Sequence, residues 1–490
     1  MSSTASVAQI AQALQDAGLL AGQRGALPER LAGLTDDSRA IVRGGAFVAV
    51  RGTQRDGHAY LDAAEKAGAA LVLVEDASAT SLPALIVHDG RRAAAVAAAA
   101  YYGEPASFLK LIGVTGTNGK TTTVGMLRHL LDAPGARAAS IGTLGVLVGS
   151  AGEPLPGGGG LTTPGPIELQ RLLRALVDSG VRWVAMETSS HALDQGRVEG
   201  LRFAAAVFTN LTRDHLDYHK TFEAYFWAKA MLIGYLTPTG VAVSNADDPA
   251  WRELTDAPKT LRFGVSTADA DVRAEEVSFH PRGSRWTLVQ GAARAEVALP
   301  LIGDFNVDNA LGAAAAALAV GLDLPTVAQR LGTLPQVPGR LEILSEHPTV
   351  LRDYAHTPDA LERALAALRP FTPGRLIALF GCGGDRDKGK RPMMAEVAHR
   401  LADAVVVTSD NPRTEDPERI LDDICVALPA GSYERIEDRR TAIAAAIAMA
   451  DPTRDVVLLA GKGHETYQIR GTTSYPFDEA AIVRGLLGAE

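Results

Sequence analysis

Short apolar runs recur along the chain, each broken by glycine or polar residues and followed by a longer stretch of helical periodicity. Near the start, GAFVAV (45–50), ALVLVE (70–75) and ALIVHD (84–89) alternate with Ala-rich helical segments. They predict a small α/β unit of about 100 residues, ending near Tyr102-Gly103-Glu104-Pro105. Beyond it LIGVTG (111–116), WVAMET (183–188), AAVFTN (205–210) and VAVSNA (241–246) punctuate longer helical patterns. That is the pattern of a mainly parallel sheet with helices on both faces. After a second boundary near Pro335 to Gly339, LIALFG (376–381), AVVVTSD (404–410) and VVLLAGKGH (456–464) repeat the strand-then-turn sequence. The expected domains are therefore 1–104, 105–337 and 338–490. The Gly- and Pro-rich AGEPLPGGGGLTTPG (151–165) reads as a mobile surface loop.

Composition narrows the class without altering this picture. With 47% hydrophobic and 21% charged residues over 490 positions, the chain has ordinary globular composition. The first residues, MSSTASVAQIAQALQD, lack a basic-then-apolar leader, and the run Ala93 to Ala100 is too short and too weakly apolar to span a bilayer. A cytoplasmic protein with no membrane span is expected. The two cysteines, Cys382 and Cys425, make neither a disulfide framework nor a zinc-ligand spacing. A net charge of −9 argues against a general nucleic-acid surface, so basic contacts to an anionic ligand must be local.

LIGVTGTNGKTT (111–122) carries the strongest chemical signal. A β-like run enters a glycine loop and leaves into a helix through Lys120-Thr121, the arrangement that cradles phosphates on backbone N–H groups and a helix N-terminus. The strict pattern wants glycine where Val114 stands, so Gly116 and Gly119 must supply the tight backbone. Lys120 would reach the β/γ-phosphates and the Thr121 hydroxyl would help hold Mg²⁺. The bland alternative is a glycine turn before an ordinary helix. A second signal lies in AVVVTSDNPR (404–413), where an apolar run breaks into Asp410-Asn411-Pro412-Arg413. An acid, an amide and a guanidinium at a strand's carboxyl end sit where open α/β sheets bind ligands.

GTNGKTT, ETSSHAL, TNLTRDHLDYH, GDFNVDNAL, PGR and DYAHTP occur in the order that characterises the Mur ligases, and over nearly its whole length the chain resembles that family. The resemblance implies three domains: a small N-terminal α/β domain, a central P-loop ATPase-like sheet and a C-terminal Rossmann-like α/β domain. It implies an ATP-dependent ligase of cytoplasmic peptidoglycan precursor synthesis, adding meso-diaminopimelate to the D-Glu γ-carboxylate of UDP-MurNAc-L-Ala-D-Glu through an acyl phosphate. A monomer is expected, with ATP and Mg²⁺ as cofactors.

Residue by residue, the resemblance gives ATP binding to Gly116, Thr117, Asn118, Gly119, Lys120, Thr121 and Thr122, with Asn306, Arg340 and Asp353 at the base, phosphates and ribose. Lys120, Glu187, His215 and Lys229 are the catalytic group, and Thr121, Glu187, His215 and a carbamylated Lys229 the metal ligands. Taken alone, a strand-end Glu or His is an ordinary polar residue and Lys229 a solvated helix lysine. The UDP-muramoyl-peptide would meet Ser38, Thr53, Gln54 and Arg55, then Thr162, Thr163, Ser189, Gln195 and Arg197. Leu161 stands where some relatives have asparagine. Diaminopimelate would meet Arg386, Asp410, Asn411, Pro412, Arg413, Gly461 and Glu465. Two other readings compete: a folylpolyglutamate synthase, expected to lack the Asp-Ser-Arg and Asp-Asn-Pro-Arg segments, and a nucleotide-gated switch that binds without turnover.

Overall fold

The computed structural model describes residues 6–52, 55–158 and 160–488; Thr53 and Gln54 lie outside it. Two compact units result, 1–275 with 287–295 and 308–331, and 276–286 with 296–307 and 332–490.

The first unit opens with a five-stranded sheet in the order Leu20–Arg24, Ala84–Val87, Leu71–Val74, Ala46–Val48, Leu34–Thr35. The three apolar runs noted at the start of the chain are its parallel centre, and Leu20–Arg24 joins antiparallel at the edge. One face is covered by the helices Val7–Asp16 and Gly90–Tyr101. Ser6 and Gln9 close a capping box on the first, and Asp89 accepts from Arg91 N and Arg92 N at the start of the second. The alanines of Gly90–Tyr101 are buried in helix contacts. Its neighbour Pro166–Asp178 contributes Ile167 to the same core.

The eleven-stranded central sheet places Lys110–Thr115 between Val181–Glu187 and Phe203–Phe208, with all three parallel. Register pairs Glu187 with Val114 and Phe208 with Thr115, so three carboxyl ends finish side by side. The expected mobile loop at 151–165 contains an edge strand, Glu153–Leu155, antiparallel to Gly145–Val148. Its backbone groups find partners on the neighbouring strand, which glycine and proline counts alone do not reveal.

In the second unit six strands run Glu342–Glu346, Thr349–Asp353, Val456–Ala460, Leu376–Phe380, Ala404–Val407, Glu434–Arg435, parallel after the first antiparallel pair. Side chains alternate between two cores, Leu376, Ala378 and Phe380 on one face and Ile377 and Leu379 on the other. A strand buried on both faces reads as an unbroken apolar run, as LIALF does.

Candidate functional site

The phosphate loop is built by backbone that only glycine supplies. Gly116 has φ +146° and Gly119 +85°, and a Cβ at either would collide with Thr209 Oγ1 or with Asn309 Oδ1. The neighbouring strand ends hold the loop. Thr209 Oγ1 donates to Asn118 O at 2.7 Å, Asn118 N donates to Asn210 Oδ1 at 2.9 Å, and Thr117 N donates to Asn210 O at 2.8 Å. The helix Lys120–Leu131 begins directly after the loop, with Thr121 and Thr122 buried in its first turn.

Lys120 Nζ donates to Gly116 O at 2.9 Å and Thr117 O at 2.7 Å. Lys229, on the helix Phe222–Ala230, is 1% exposed, and its Nζ donates to the same Gly116 carbonyl at 2.8 Å. It is therefore not the solvated helix lysine of the bland reading. Burial, and then the Lys120 charge, push its pKa well below the usual lysine range. Tyr225, one turn earlier, lies 4.5 Å below the ammonium and places its hydroxyl 3.2 Å from Thr117 Oγ1.

Glu187 is the last residue of its strand, Val181–Glu187, and it is buried. Its carboxylate accepts from Thr143 N at 2.8 Å and Thr143 Oγ1 at 3.3 Å. His215 stands seven residues past Phe208 in a left-handed conformation, φ +52°. Its ring meets His191 edge-on at 4.8 Å, and burial lowers its pKa. Glu187 and Thr121 offer the hard oxygen donors Mg²⁺ prefers. Lys229 as an ammonium can only donate and repels a cation, whereas a carbamate on it would offer oxygen donors. Among the described residues no group of three or more His, Cys, Asp and Glu is assembled for a metal.

The peptide-contacting candidates form one network. Thr163 Oγ1 donates to Glu187 O at 2.8 Å and accepts from Ser189 N at 3.1 Å, while Arg197 Nη1 donates to Thr163 O at 3.0 Å. Arg197 also clasps Gln195 Oε1 at 2.7 Å, and Gln195 Nε2 donates to Tyr218 Oη at 3.2 Å. Thr162 joins through Thr143 Oγ1 at 3.4 Å, and Leu161 is exposed. On the first sheet, Ser38 opens a short turn capped by Asp37. Arg39 is held bidentately by that same aspartate, and Arg55 is exposed on a separate loop.

In the second unit the strand ends again converge. Arg413 has φ +52° and its Nη1 donates to Gly384 O at 2.9 Å, while Gly384 N donates to Asn411 O at 2.9 Å. A Cβ on Gly384 would collide with the Pro412 carbonyl, so the DNPR turn and the GCGGDR loop interlock only through glycine. Arg386 is exposed beside them. Asp410 and Asn411 are buried, and Asn411 Nδ2 donates to Glu465 Oε2 at 2.8 Å. Gly461, at φ +115°, passes Asp410 with open backbone.

Asp353, at the end of Thr349–Asp353, accepts from Leu341 N and Ala355 N at 2.7 and 2.8 Å. Burial raises its pKa and Arg340 opposes the rise. The Arg340 guanidinium lies 4.8 Å over Tyr354, which also meets His356 and His464. Asn306 is buried, with Nδ2 donating to Ile302 O at 2.7 Å.

Sequence reasoning did not single out Thr143, Tyr218, Tyr225, Asn210 or Lys462. Asn210, Tyr218 and Lys462 sit inside segments already quoted, but spacing does not say which side chain turns inward.

Three family descriptions match the chain: the Mur ligase family catalytic domain over 30–106, the Mur ligase middle domain over 114–317, and the Mur ligase glutamate ligase domain over 339–463. UDP-N-acetylmuramoyl-L-alanyl-D-glutamate–2,6-diaminopimelate ligase of Geobacillus thermodenitrificans is 44% identical, with 94% of this chain and 95% of that protein covered. The protein of the same name from Gloeobacter violaceus is 46% identical over 93% and 94%. A solved structure of a ligase of that name superposes with a TM-score of 0.66 at 34% identity, covering 94% of this chain and 95% of the other. With likeness of that extent, running through all three parts and through the phosphate loop just described, the chain belongs to the Mur ligase family.

Proposed function

We propose that the chain is the ATP-dependent, ADP-forming ligase that joins meso-diaminopimelate to the D-Glu γ-carboxylate of UDP-MurNAc-L-Ala-D-Glu in peptidoglycan precursor synthesis. The observation that carries the chemistry is the Gly116 to Lys120 loop with a second lysine, Lys229, buried against it. The name shared by its relatives supports the substrates.

In this reading a γ-carboxylate oxygen attacks the ATP γ-phosphorus, ADP leaves, and the substrate amine attacks the acyl carbon. The C–O bond then breaks and phosphate departs. Negative charge gathers in both steps, so Lys120 contributes by offsetting it. Arg197, half-buried beside Thr163, is suited to a carboxylate of the dipeptide. Ser38, Thr53, Gln54 and Arg55 hold the uridine end. Asn306, Arg340 and Asp353 serve the nucleotide. Mg²⁺ would be held by Thr121, Glu187, His215 and carbamylated Lys229, where it supplies neutralisation of phosphate charge.

The working division is 1–104 for the uridine nucleotide, 105–337 for ATP and 338–490 for the amino acid. Soluble, nucleotide-linked substrates place the step in the cytoplasm, and it needs no second copy of the chain. No described helix is long and apolar enough to cross a membrane. The test is phosphate release from ATP: it should require the UDP-muramoyl-dipeptide and meso-diaminopimelate together. Nucleotide binding without turnover would favour the switch instead.

A further inference from the structure

Lys462 follows the strand Val456–Ala460 and is 0% exposed. Its ammonium reaches Asn411 Oδ1 at 3.1 Å, Glu465 Oε2 at 3.3 Å and Asp410 Oδ1 at 3.5 Å. Asp410 Oδ1 is buried and makes no hydrogen bond among the described residues, so the ammonium is its ionic partner. Asn411 is fixed from other sides too: Ile469 N donates to its Oδ1 at 3.0 Å, and Gln468 Nε2 donates to Asp410 O at 2.8 Å. The same hairpin, Tyr467–Arg470 with Thr473–Pro476, seats the next residues of the turn, since Arg413 N donates to Ile469 O at 3.1 Å.

Two carboxylates and one ammonium at the carboxyl edge of the sheet leave one negative charge. We propose that Lys462 is a positioning residue for the amino-acid substrate that also sets its specificity, by cancelling one of the two carboxylates Asp410 and Glu465 so that the pocket matches a single substrate ammonium. This rests on the diaminopimelate reading above. The distal end of meso-diaminopimelate is a zwitterion, whereas that of L-lysine is a bare cation. A pocket carrying two uncancelled negative charges would favour the bare cation, so Lys462 disfavours L-lysine through the charge it removes, in addition to any clamp by Arg413 on the distal carboxylate.

The experiment compares kcat/KM for meso-diaminopimelate and for L-lysine, with folding checked by circular dichroism and thermal unfolding. In Lys462→Gln, which keeps hydrogen-bond donors but loses the charge, the preference for diaminopimelate should fall about tenfold, a modest share of one close charge contact. Lys462→Arg should stay near the wild-type ratio. The same comparison is made in a Glu465→Gln background, where removing Lys462 does not bury two unpaired carboxylates. There the ratio should again fall about tenfold from Glu465→Gln to the double variant. A ratio unchanged by loss of Lys462 in both backgrounds, with activity toward both amino acids lowered alike, means a purely structural lysine and overturns the inference while leaving the reading intact. Wild-type protein that does not turn over diaminopimelate overturns both.

Discussion

The ammonium groups of Lys120 and Lys229 meet on one acceptor, the carbonyl oxygen of Gly116, at 2.9 and 2.8 Å. One comes from the first residue of the helix after the phosphate loop and the other from a helix more than a hundred positions later. Two like charges on one oxygen repel, and burial of Lys229 makes its charged form costlier still. Lys120 is only partly buried, with its Nζ held by the Gly116 and Thr117 carbonyls. Lys229 is enclosed, which favours loss of its charge.

Lys120→Ala should lower kcat/KM by on the order of 10²-fold or more, as expected for loss of one strong electrostatic stabiliser. Its circular dichroism should match wild type, because the lysine caps loop carbonyls rather than filling a core. Steady-state phosphate release checks this, and near-normal turnover would remove the loop from the mechanism.

Burial pushes the Lys229 pKa down, and the free amine this favours is the form that reacts with CO₂. Lys229→Ala should therefore be nearly inactive, and acetate or formate should restore part of the rate by standing in for the carbamate. Intact-protein mass showing only an unmodified amine in fully active enzyme would contradict this assignment.

Arg413 has a φ of +52°, and its guanidinium donates to the Gly384 carbonyl. L-Lysine lacks the distal carboxylate such a group would clamp, and sites built for a polar group reject an analogue lacking it by as much as ~10⁴-fold. Arg413→Ala should collapse the ratio of kcat/KM for meso-diaminopimelate over L-lysine. Equal use of both by wild type, or an unchanged ratio in the variant, would sink the role.

Acid should weaken the C-terminal sheet through His464. Burial, and then Arg340 and Arg352, hold its pKa down at about 4, against about 6.5 in an unfolded chain. Between those values the unfolded chain binds a proton that the folded chain does not. Stability therefore falls as pH is lowered from about 6.5 towards 4, and this contribution levels off below that. Hydrogen exchange in Val456–Ala460 at pH 7 and pH 5 should show a smaller loss of protection in His464→Gln than in wild type. An equal loss in both would place the acid sensitivity elsewhere.

The strand ends were legible because a buried parallel strand leaves an unbroken apolar run, and the residue that breaks the run is where ligands are met. Gly116, Lys120 and Asp410 were located in this way, whereas Glu187 and Gly461 came from the family resemblance. Lys462 was not, although it lies within a quoted motif, because the residues that enclose it arrive from a turn fifty positions earlier. Tyr218, within a quoted motif, and Thr143, within none, were missed for the same reason: each is marked out by a contact with a distant segment. The edge strand Glu153–Leu155 was hidden by the glycines around it, since its pairing depends on Gly145–Val148 rather than on its own composition.

The most direct test of the ligase assignment follows one oxygen atom. UDP-MurNAc-L-Ala-D-Glu labelled with ¹⁸O in both γ-carboxylate positions is turned over with ATP and meso-diaminopimelate, and the released phosphate and peptide product are weighed by mass spectrometry. Attack of the carboxylate on the γ-phosphorus, followed by acyl C–O cleavage, predicts one ¹⁸O in each phosphate and one retained in the new amide. Unlabelled phosphate, or a peptide of unchanged mass, would contradict an acyl-phosphate ligase.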